Sequence, residues 1–148
     1  MVLSNTAAKI ATPAIWQDRI DSIRRTGICP VSDTTMSHWL SPKMRASSTM
    51  SPWHNMMRTT RPEGYIDCAH ANSVTDFITT ISTLQLPFMG IAADHDRPTP
   101  PGLVRKTLNL IPGSTFHIIR GADHLPFVEQ PREFAGLLTS FLESTSHI

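Results

Sequence analysis

Cysteine is scarce in this sequence, and its scarcity limits the class of protein. The 148 residues include only two cysteines, Cys29 and Cys68, and neither lies in a C-x-x-C arrangement. Two isolated cysteines cannot build the disulfide framework of a small secreted domain. We therefore expect both thiols to belong to small, buried, unreactive side chains, and we expect the protein to work in the reducing cytoplasm.

Charge of one sign and long apolar runs are also lacking. Thirteen basic and twelve acidic side chains leave a formal net charge of +1, without the basic patch that nucleic-acid recognition normally shows. No apolar run approaches the roughly 20 residues of a membrane span. Residues 1–5 lack the charged start and the long apolar stretch of a secretory signal. Neither nucleic acid nor a membrane is an expected partner.

The sequence changes character near Leu86. Residues 1–85 read as short helices interrupted by proline, and the first of these has Gly27 as its predicted end. The predicted helices of this part begin at Pro13, Asp33, Pro52 and Pro62. We therefore predict two regions, residues 1–85 and residues 86–148.

Strands and helices alternate in residues 86–148. Residues 88–93 are a short apolar run without alternation, as expected of a strand buried on both faces. Residues 115–119 are β-branched and aromatic, which also indicates a strand. Helical patterns follow at residues 103–111 and from Pro131 onward. This alternation predicts an α/β fold with a parallel sheet, although two strands alone are too few to complete one.

Polar side chains cluster directly after each predicted strand. Asp94, His95 and Asp96 follow the first strand, and Asp123 and His124 follow the second. Functional groups of open α/β sheets gather in such loops, at the carboxyl ends of the strands. An acid followed by a histidine is also the end of the Ser…Asp…His order of some hydrolases, in which the histidine is the general base. A merely solvated histidine is the alternative explanation.

A metal site is a second alternative for the loop at residues 94–96. It would need further ligands, and no second cluster of histidine, aspartate or glutamate has matching spacing. His54, His70 and His147 show no ligand spacing, and His117 falls inside a predicted strand. We expect no metal and no cofactor.

The sequences of the two loops resemble those of the α/β-hydrolase family. Residues 86–101, LPFMGIAADHDRPTPP, resemble the family's apolar strand followed by a G-x-x-D-x-x-T-P-P loop. Residues 121–131, GADHLPFVEQP, resemble its G-x-x-H-x-x-x-x-E-x-P phrase. The resemblance implies a partial α/β-hydrolase fold: residues 1–85 would be a helical cap, or lid, with the end of a preceding strand. Residues 86–148 would supply the last two strand–helix units of the core.

The same resemblance assigns the catalytic acid and base. Aligning the T-P-P end of the first phrase places Asp96, rather than Asp94, at the acid position. The second phrase places His124 at the base position. Ala93 replaces the usual glycine, which puts the geometry of the turn before Asp96 in question.

Two further segments are similar to 3-oxoadipate enol-lactonases, namely SNTAAKI at residues 4–10 and RPEGY at residues 61–65. This similarity implies hydrolysis of 3-oxoadipate enol-lactone to 3-oxoadipate, a step in bacterial breakdown of aromatic compounds. Because the lactone carries a carboxylate, Lys9 and Arg19 are candidate binding residues, and Trp39 or Trp53 is a candidate wall of the pocket. The rival readings are another hydrolase, such as a carboxylesterase or a cofactor-free haloperoxidase, and a fragment without activity.

The family's nucleophile is the serine of a G-x-S-x-G elbow, and this sequence contains no such motif. Residues 2–5 read as the end of a preceding strand, so the resemblance covers only the C-terminal half of the family's fold. Loss of the nucleophile costs about a millionfold in turnover in a comparable hydrolase. We therefore expect a truncated lactonase that is inactive alone, with the missing N-terminal half as its partner.

Overall fold

The computed structural model describes residues 1–146 and divides the chain into two compact units. Unit 1 combines Met1–Ala8 with Phe77–Ile148, and unit 2 is Lys9–Asp76. The division predicted from the sequence lay between residues 85 and 86. In the structure, the first residues of the chain belong to the same unit as its C-terminal part.

Three strands and eight α-helices make up the regular structure of residues 1–146. The strands are β1 (Val2–Ser4), β2 (Met89–Ala93) and β3 (Thr115–Ile119). The helices are α1 (Pro13–Thr26), α2 (Ile28–Trp39), α3 (Pro42–Arg45), α4 (Ser51–Arg58), α5 (Pro62–Val74), α6 (Pro101–Leu108), α7 (Pro126–Glu129) and α8 (Pro131–Ser144). Short 3₁₀ turns lie at Ser48–Met50 and Ile81–Thr83. No helix of this part of the chain combines the length and the apolar character that crossing a bilayer would require.

The strands of unit 1 form one parallel sheet in the order β1-β2-β3. Met89 pairs with Val2 on one side and with Thr115 on the other. Every residue of the central strand β2 is buried, which explains why its sequence is apolar without alternation. The predicted α/β class with a parallel sheet is confirmed, and β1 supplies the third strand.

Each face of β2 packs into a separate apolar cluster, because successive side chains of a strand point to opposite faces. Ala92 belongs to a cluster with Val104 and Leu108 of α6. Met89, Ile91 and Ala93 belong to the other cluster, against which α8 packs. The side chains that α8 contributes are Phe134, Leu137, Leu138 and Phe141. The sheet is therefore covered by helices on both faces, and its loops are held at a defined edge.

Unit 2 is built from α1 to α5, and its core includes Ile23, Ile28 and Val31. Helix α1 starts as predicted: Thr12 is its N-cap, and the Thr12 side chain accepts a hydrogen bond from the N–H of Ile15 at 3.4 Å. It ends at Gly27, whose φ of 77° lies in the left-handed region that glycine adopts without strain.

Two predictions for unit 2 were wrong. Helix α2 begins at Ile28, before the predicted start at Asp33. Pro30 does not prevent this, because the N–H groups of a helix's first turn have no partner within the helix. The cysteines are exposed, not buried. In α2 the helical period turns Ile28 and Val31 toward the core, so Cys29 between them faces solvent.

Candidate active site

The two loops that carry the candidate residues are tied together at the carboxyl edge of the sheet. Beyond the strands, the N–H of Asp94 donates to the carbonyl of Ile119 at 3.1 Å. The N–H of His95 donates to the carbonyl of Ala122, also at 3.1 Å. These bonds hold the loop after β2 beside the loop after β3.

Asp96 and His124 meet across this edge. Nδ1 of His124 lies 3.0 Å from Oδ2 of Asp96 and 3.1 Å from Oδ1. The Asp96 side chain is fully buried, whereas the His124 side chain is 18% exposed. A buried acid beside a histidine that reaches solvent is the geometry of an acid that orients a general base.

The remaining partners of Asp96 are all hydrogen-bond donors. The N–H of Thr99 donates to Oδ1 at 2.9 Å, and the Thr99 hydroxyl donates to Oδ2 at 2.7 Å. The side-chain amide of Asn5 donates to Oδ2 at 2.7 Å. Both carboxylate oxygens are therefore satisfied, as a buried charge requires.

These contacts set the ionisation of Asp96. Burial alone raises the pKa of this carboxyl, because it penalises the charged form. The hydrogen bonds from His124, Thr99 and Asn5, together with the charge of His124, outweigh burial and leave the pKa below its ordinary value of 3.8. Asp96 is consequently ionised at neutral pH.

Asp94, the other candidate for the acid, has a different contact. Its Oδ1 accepts the N–H of Gly121 at 2.8 Å, which joins the two loops. No bond joins it to His124 among those observed in residues 1–146. Ala93, which replaces the family's glycine before this turn, is not among the residues with positive φ. The turn needs no glycine there.

The loop of His124 has an anchor of its own. The N–H of Asp123 donates to Oε2 of Glu129, on α7, at 2.6 Å. Glu129 is the glutamate of the G-x-x-H-x-x-x-x-E-x-P phrase. It thus fixes the residue directly before the histidine.

Sequence reasoning did not assign a contact to Thr99 or Asn5. Thr99 lies in the T-P-P phrase, so its position was visible although its role was not. Asn5 is 91 residues from Asp96 in the chain. The signal for it was its place directly after a strand whose carboxyl end adjoins that of β2.

The candidate substrate-binding residues belong to unit 2. Lys9 forms an exposed ion pair with Asp76 at 2.8 Å. The guanidinium of Arg19 donates to the hydroxyl of Tyr65 at 2.7 Å, and Trp39 is a half-buried residue at the end of α2. Their binding roles stay predictions.

The other histidines show no common site. His54 on α4 lies 4.0 Å from Asp33, and His117 is a half-buried residue of β3. His147 lies outside the described residues. Within residues 1–146 no three histidine, cysteine or acidic side chains are grouped to hold a metal ion.

Among curated proteins, the chain is similar to 3-oxoadipate enol-lactonase 2 of Acinetobacter baylyi. The two are 27% identical over 136 residues, which is 90% of this chain and 51% of the relative. The chain therefore spans about half the length of the curated relatives it matches. No protein-family model matches the sequence.

Among solved structures, the enol-lactonase from Burkholderia xenovorans LB400 superposes with a TM-score of 0.91 at 23% identity, covering 96% of this chain and 55% of that one. A hydrolase from Pseudomonas aeruginosa PA01 superposes with a TM-score of 0.89 at 26% identity, covering 95% and 54%.

The parallel sheet in the order β1-β2-β3, covered by helices, has the fold of the C-terminal half of the α/β-hydrolases. Among proteins of this fold, the sequence resembles the 3-oxoadipate enol-lactonases along nearly its whole length. The predicted resemblance and fold class are confirmed.

Proposed function

We propose that this chain supplies the acid and the base for hydrolysis of 3-oxoadipate enol-lactone to 3-oxoadipate, a step in the breakdown of aromatic compounds. The observation that carries the proposal is the pair of Asp96 and His124, joined at 3.0 Å at the carboxyl edge of the sheet. The sequence similarity to enol-lactonases supports the choice of substrate.

The pair supports a defined proton path. Asp96 accepts the Nδ1 proton of His124, so the neutral imidazole carries its basic lone pair on Nε2. Nε2 would take the proton of a serine hydroxyl as the serine oxygen attacks the lactone carbonyl. The ring C–O bond then breaks, the leaving oxygen receives that proton, and an acyl-enzyme remains. Water, deprotonated by the same nitrogen, then hydrolyses the acyl-enzyme and releases the serine hydroxyl. The enol formed by ring opening tautomerises to the ketone, which gives 3-oxoadipate.

The serine itself has no candidate motif in these residues, because the sequence contains no G-x-S-x-G elbow. The proposal therefore requires a serine and an oxyanion hole from a polypeptide segment outside this sequence. Taken alone, the chain is expected to be inactive toward the lactone.

Arg19, Lys9 and Trp39 remain the proposed binding residues for the substrate and its carboxylate. Arg19 has several N–H donors, and the observed bond to Tyr65 uses Nη1. A guanidinium suits a carboxylate because it can donate two parallel hydrogen bonds. Lys9 would add positive charge, and Trp39 would contribute an apolar wall.

A chimera tests the proposal. In it, the 148-residue chain replaces the C-terminal half of the Burkholderia xenovorans enol-lactonase, whose fold matches it closely. We expect the chimera to hydrolyse 3-oxoadipate enol-lactone in a spectrophotometric assay, while the 148-residue chain alone stays at the uncatalysed rate.

The same chimera also tests the choice of substrate, because its activity on the lactone can be compared with its activity on simple esters. A chimera that hydrolyses p-nitrophenyl esters but not the lactone would show a working acid–base pair in an esterase and would refute the lactonase proposal. A folded chimera that hydrolyses neither would refute both.

A further inference from the structure

Asn5, directly after β1, connects that strand to the acid of the candidate site. Its side-chain amide donates to Oδ2 of Asp96 at 2.7 Å, across 91 residues of sequence. We propose that Asn5 is a positioning residue that holds the Asp96 carboxylate in the orientation in which it meets His124. This inference rests on the proposed function and adds a residue to its machinery.

The position of Asn5 is well defined. Its backbone N–H donates to the carbonyl of Ile91 at 2.9 Å, which extends the pairing of β1 with β2 past Ser4. Its φ of 50° lies in the left-handed region, where asparagine is tolerated better than most residues with a side chain. The residue is buried. The backbone therefore turns here in a way that directs a short polar side chain into the site.

The orientation of the amide is also set. The hydroxyl of Ser4 donates to Oδ1 of Asn5 at 2.7 Å. The amide oxygen is thus occupied, and the NH₂ group is the end that faces Asp96. Two hydrogen bonds in series therefore connect Ser4, at the end of β1, through Asn5 to the Asp96 carboxylate.

Asn5 restrains Asp96 in a way that Thr99 cannot. Thr99 lies three residues after Asp96, in the same loop, so it moves with the acid. Asn5 belongs to the sheet through β1 and therefore anchors Oδ2 to a different element. Its amide is neutral, so it favours the ionised carboxylate without a positive charge that would compete with His124 for it.

Two substitutions separate this role from general stability. Asn5→Gly removes the amide but accepts the left-handed backbone without steric cost. Asn5→Asp keeps the shape and replaces the donor by a second carboxyl group. Thr107→Val is the matched control, because it removes a different buried hydrogen bond of unit 1, the 3.0 Å bond from the N–H of Ala8 to Thr107 Oγ1.

The measurement is nuclear magnetic resonance on the full 148-residue chain, following the Asp96 carboxyl carbon and the ring nitrogens of His124. We expect the titration midpoint of Asp96 to rise in Asn5→Gly. It should rise further in Asn5→Asp, since two carboxyl groups within hydrogen-bond distance cannot both ionise readily. The share of neutral His124 rings with the proton on Nδ1 should fall in both variants and stay unchanged in Thr107→Val.

Unchanged Asp96 midpoints and His124 tautomers in both folded Asn5 variants would overturn the inference, as would equal shifts in Thr107→Val. If Asn5→Gly does not fold, Asn5→Asp alone decides. The resonance measurements do not depend on turnover. An inactive chimera would refute the proposed function and leave the positioning role of Asn5 standing. Unchanged resonance results in the Asn5 variants would overturn that role and leave the proposed function standing.

Discussion

At the scale of single residues, Asp96 is the most densely bonded polar group of the site. Three residues besides its own loop's backbone direct donors at its two oxygens: His124, Asn5 and the Thr99 side chain. A fully buried carboxylate is costly unless it is bonded in this way. The site thus holds a charge that also stabilises the folded unit.

This arrangement predicts how stability depends on pH. Because the folded-state pKa of Asp96 lies below 3.8, its contribution is present above the unfolded pKa and is lost as the pH falls through the folded value. Asp96→Asn removes that contribution. The difference in unfolding free energy between the parent chain and Asp96→Asn should therefore be larger at about pH 7 than at about pH 2.5. Urea denaturation at the two pH values measures it, and a difference that does not shrink in acid would contradict the account.

Part of the site could be predicted from the sequence and part could not. The T-P-P phrase and the order of acid and histidine pointed to Asp96 and His124, because loop sequences and their order along the chain can be read directly. Asn5 could not be assigned in the same way. Its contact depends on which strand pairs with β2, and that pairing is a property of the folded sheet.

At the scale of elements, the close approach of α6 to β2 depends on one glycine. A Cβ atom built on Gly90 would lie 2.7 Å from Cδ2 of Leu108 and 2.8 Å from its Cγ, and closer still to Cδ1. Leu108 is itself buried in the cluster that covers this face of the sheet. Nothing larger than glycine fits at this position unless the Leu108 side chain or α6 moves.

Gly90→Ala should therefore lower the unfolding free energy by about 1–3 kcal/mol, the usual cost of overpacking a core. Gly136→Ala is the control, because Gly136 lies in α8 and, apart from its chain neighbours and the backbone of its own helix, no atom lies within 4 Å of an added Cβ. That substitution should raise stability by about 0.5–1 kcal/mol, since glycine weakens a helix interior. Thermal unfolding of the two variants compares them. Equal effects would show that α6 and β2 pack less closely than described.

The elements themselves were largely visible in the sequence. β3 has the predicted bounds, because a run of β-branched and aromatic residues favours a strand by itself. α1 begins and ends at its predicted caps, because Thr12-Pro13 and Gly27 favour a helix start and a helix end through the conformation of their own backbone. The start of α2 was not visible, since Pro30 reads as a break although a helix tolerates proline in its first turn.

At the scale of the whole molecule, the chain spans about half the length of its curated relatives. In the described residues, the sheet has the order β1-β2-β3, so β1 and β3 each have one open edge. Unpaired N–H and C=O groups on such an edge are ready to pair with a further strand. Under the proposed function, the serine-bearing segment would pair with one of these two edges.

The dependence of the chimera's lactone turnover on His124 tests the central claim most directly. His124→Ala should lower kcat by about 10⁶-fold, the loss seen when a comparable serine hydrolase loses its histidine. His95→Ala, which removes an exposed histidine from the neighbouring loop, should leave kcat within about twofold, as expected for a group outside the proton path. Equal turnover by the parent chimera and a folded His124→Ala variant would contradict the assignment of the base.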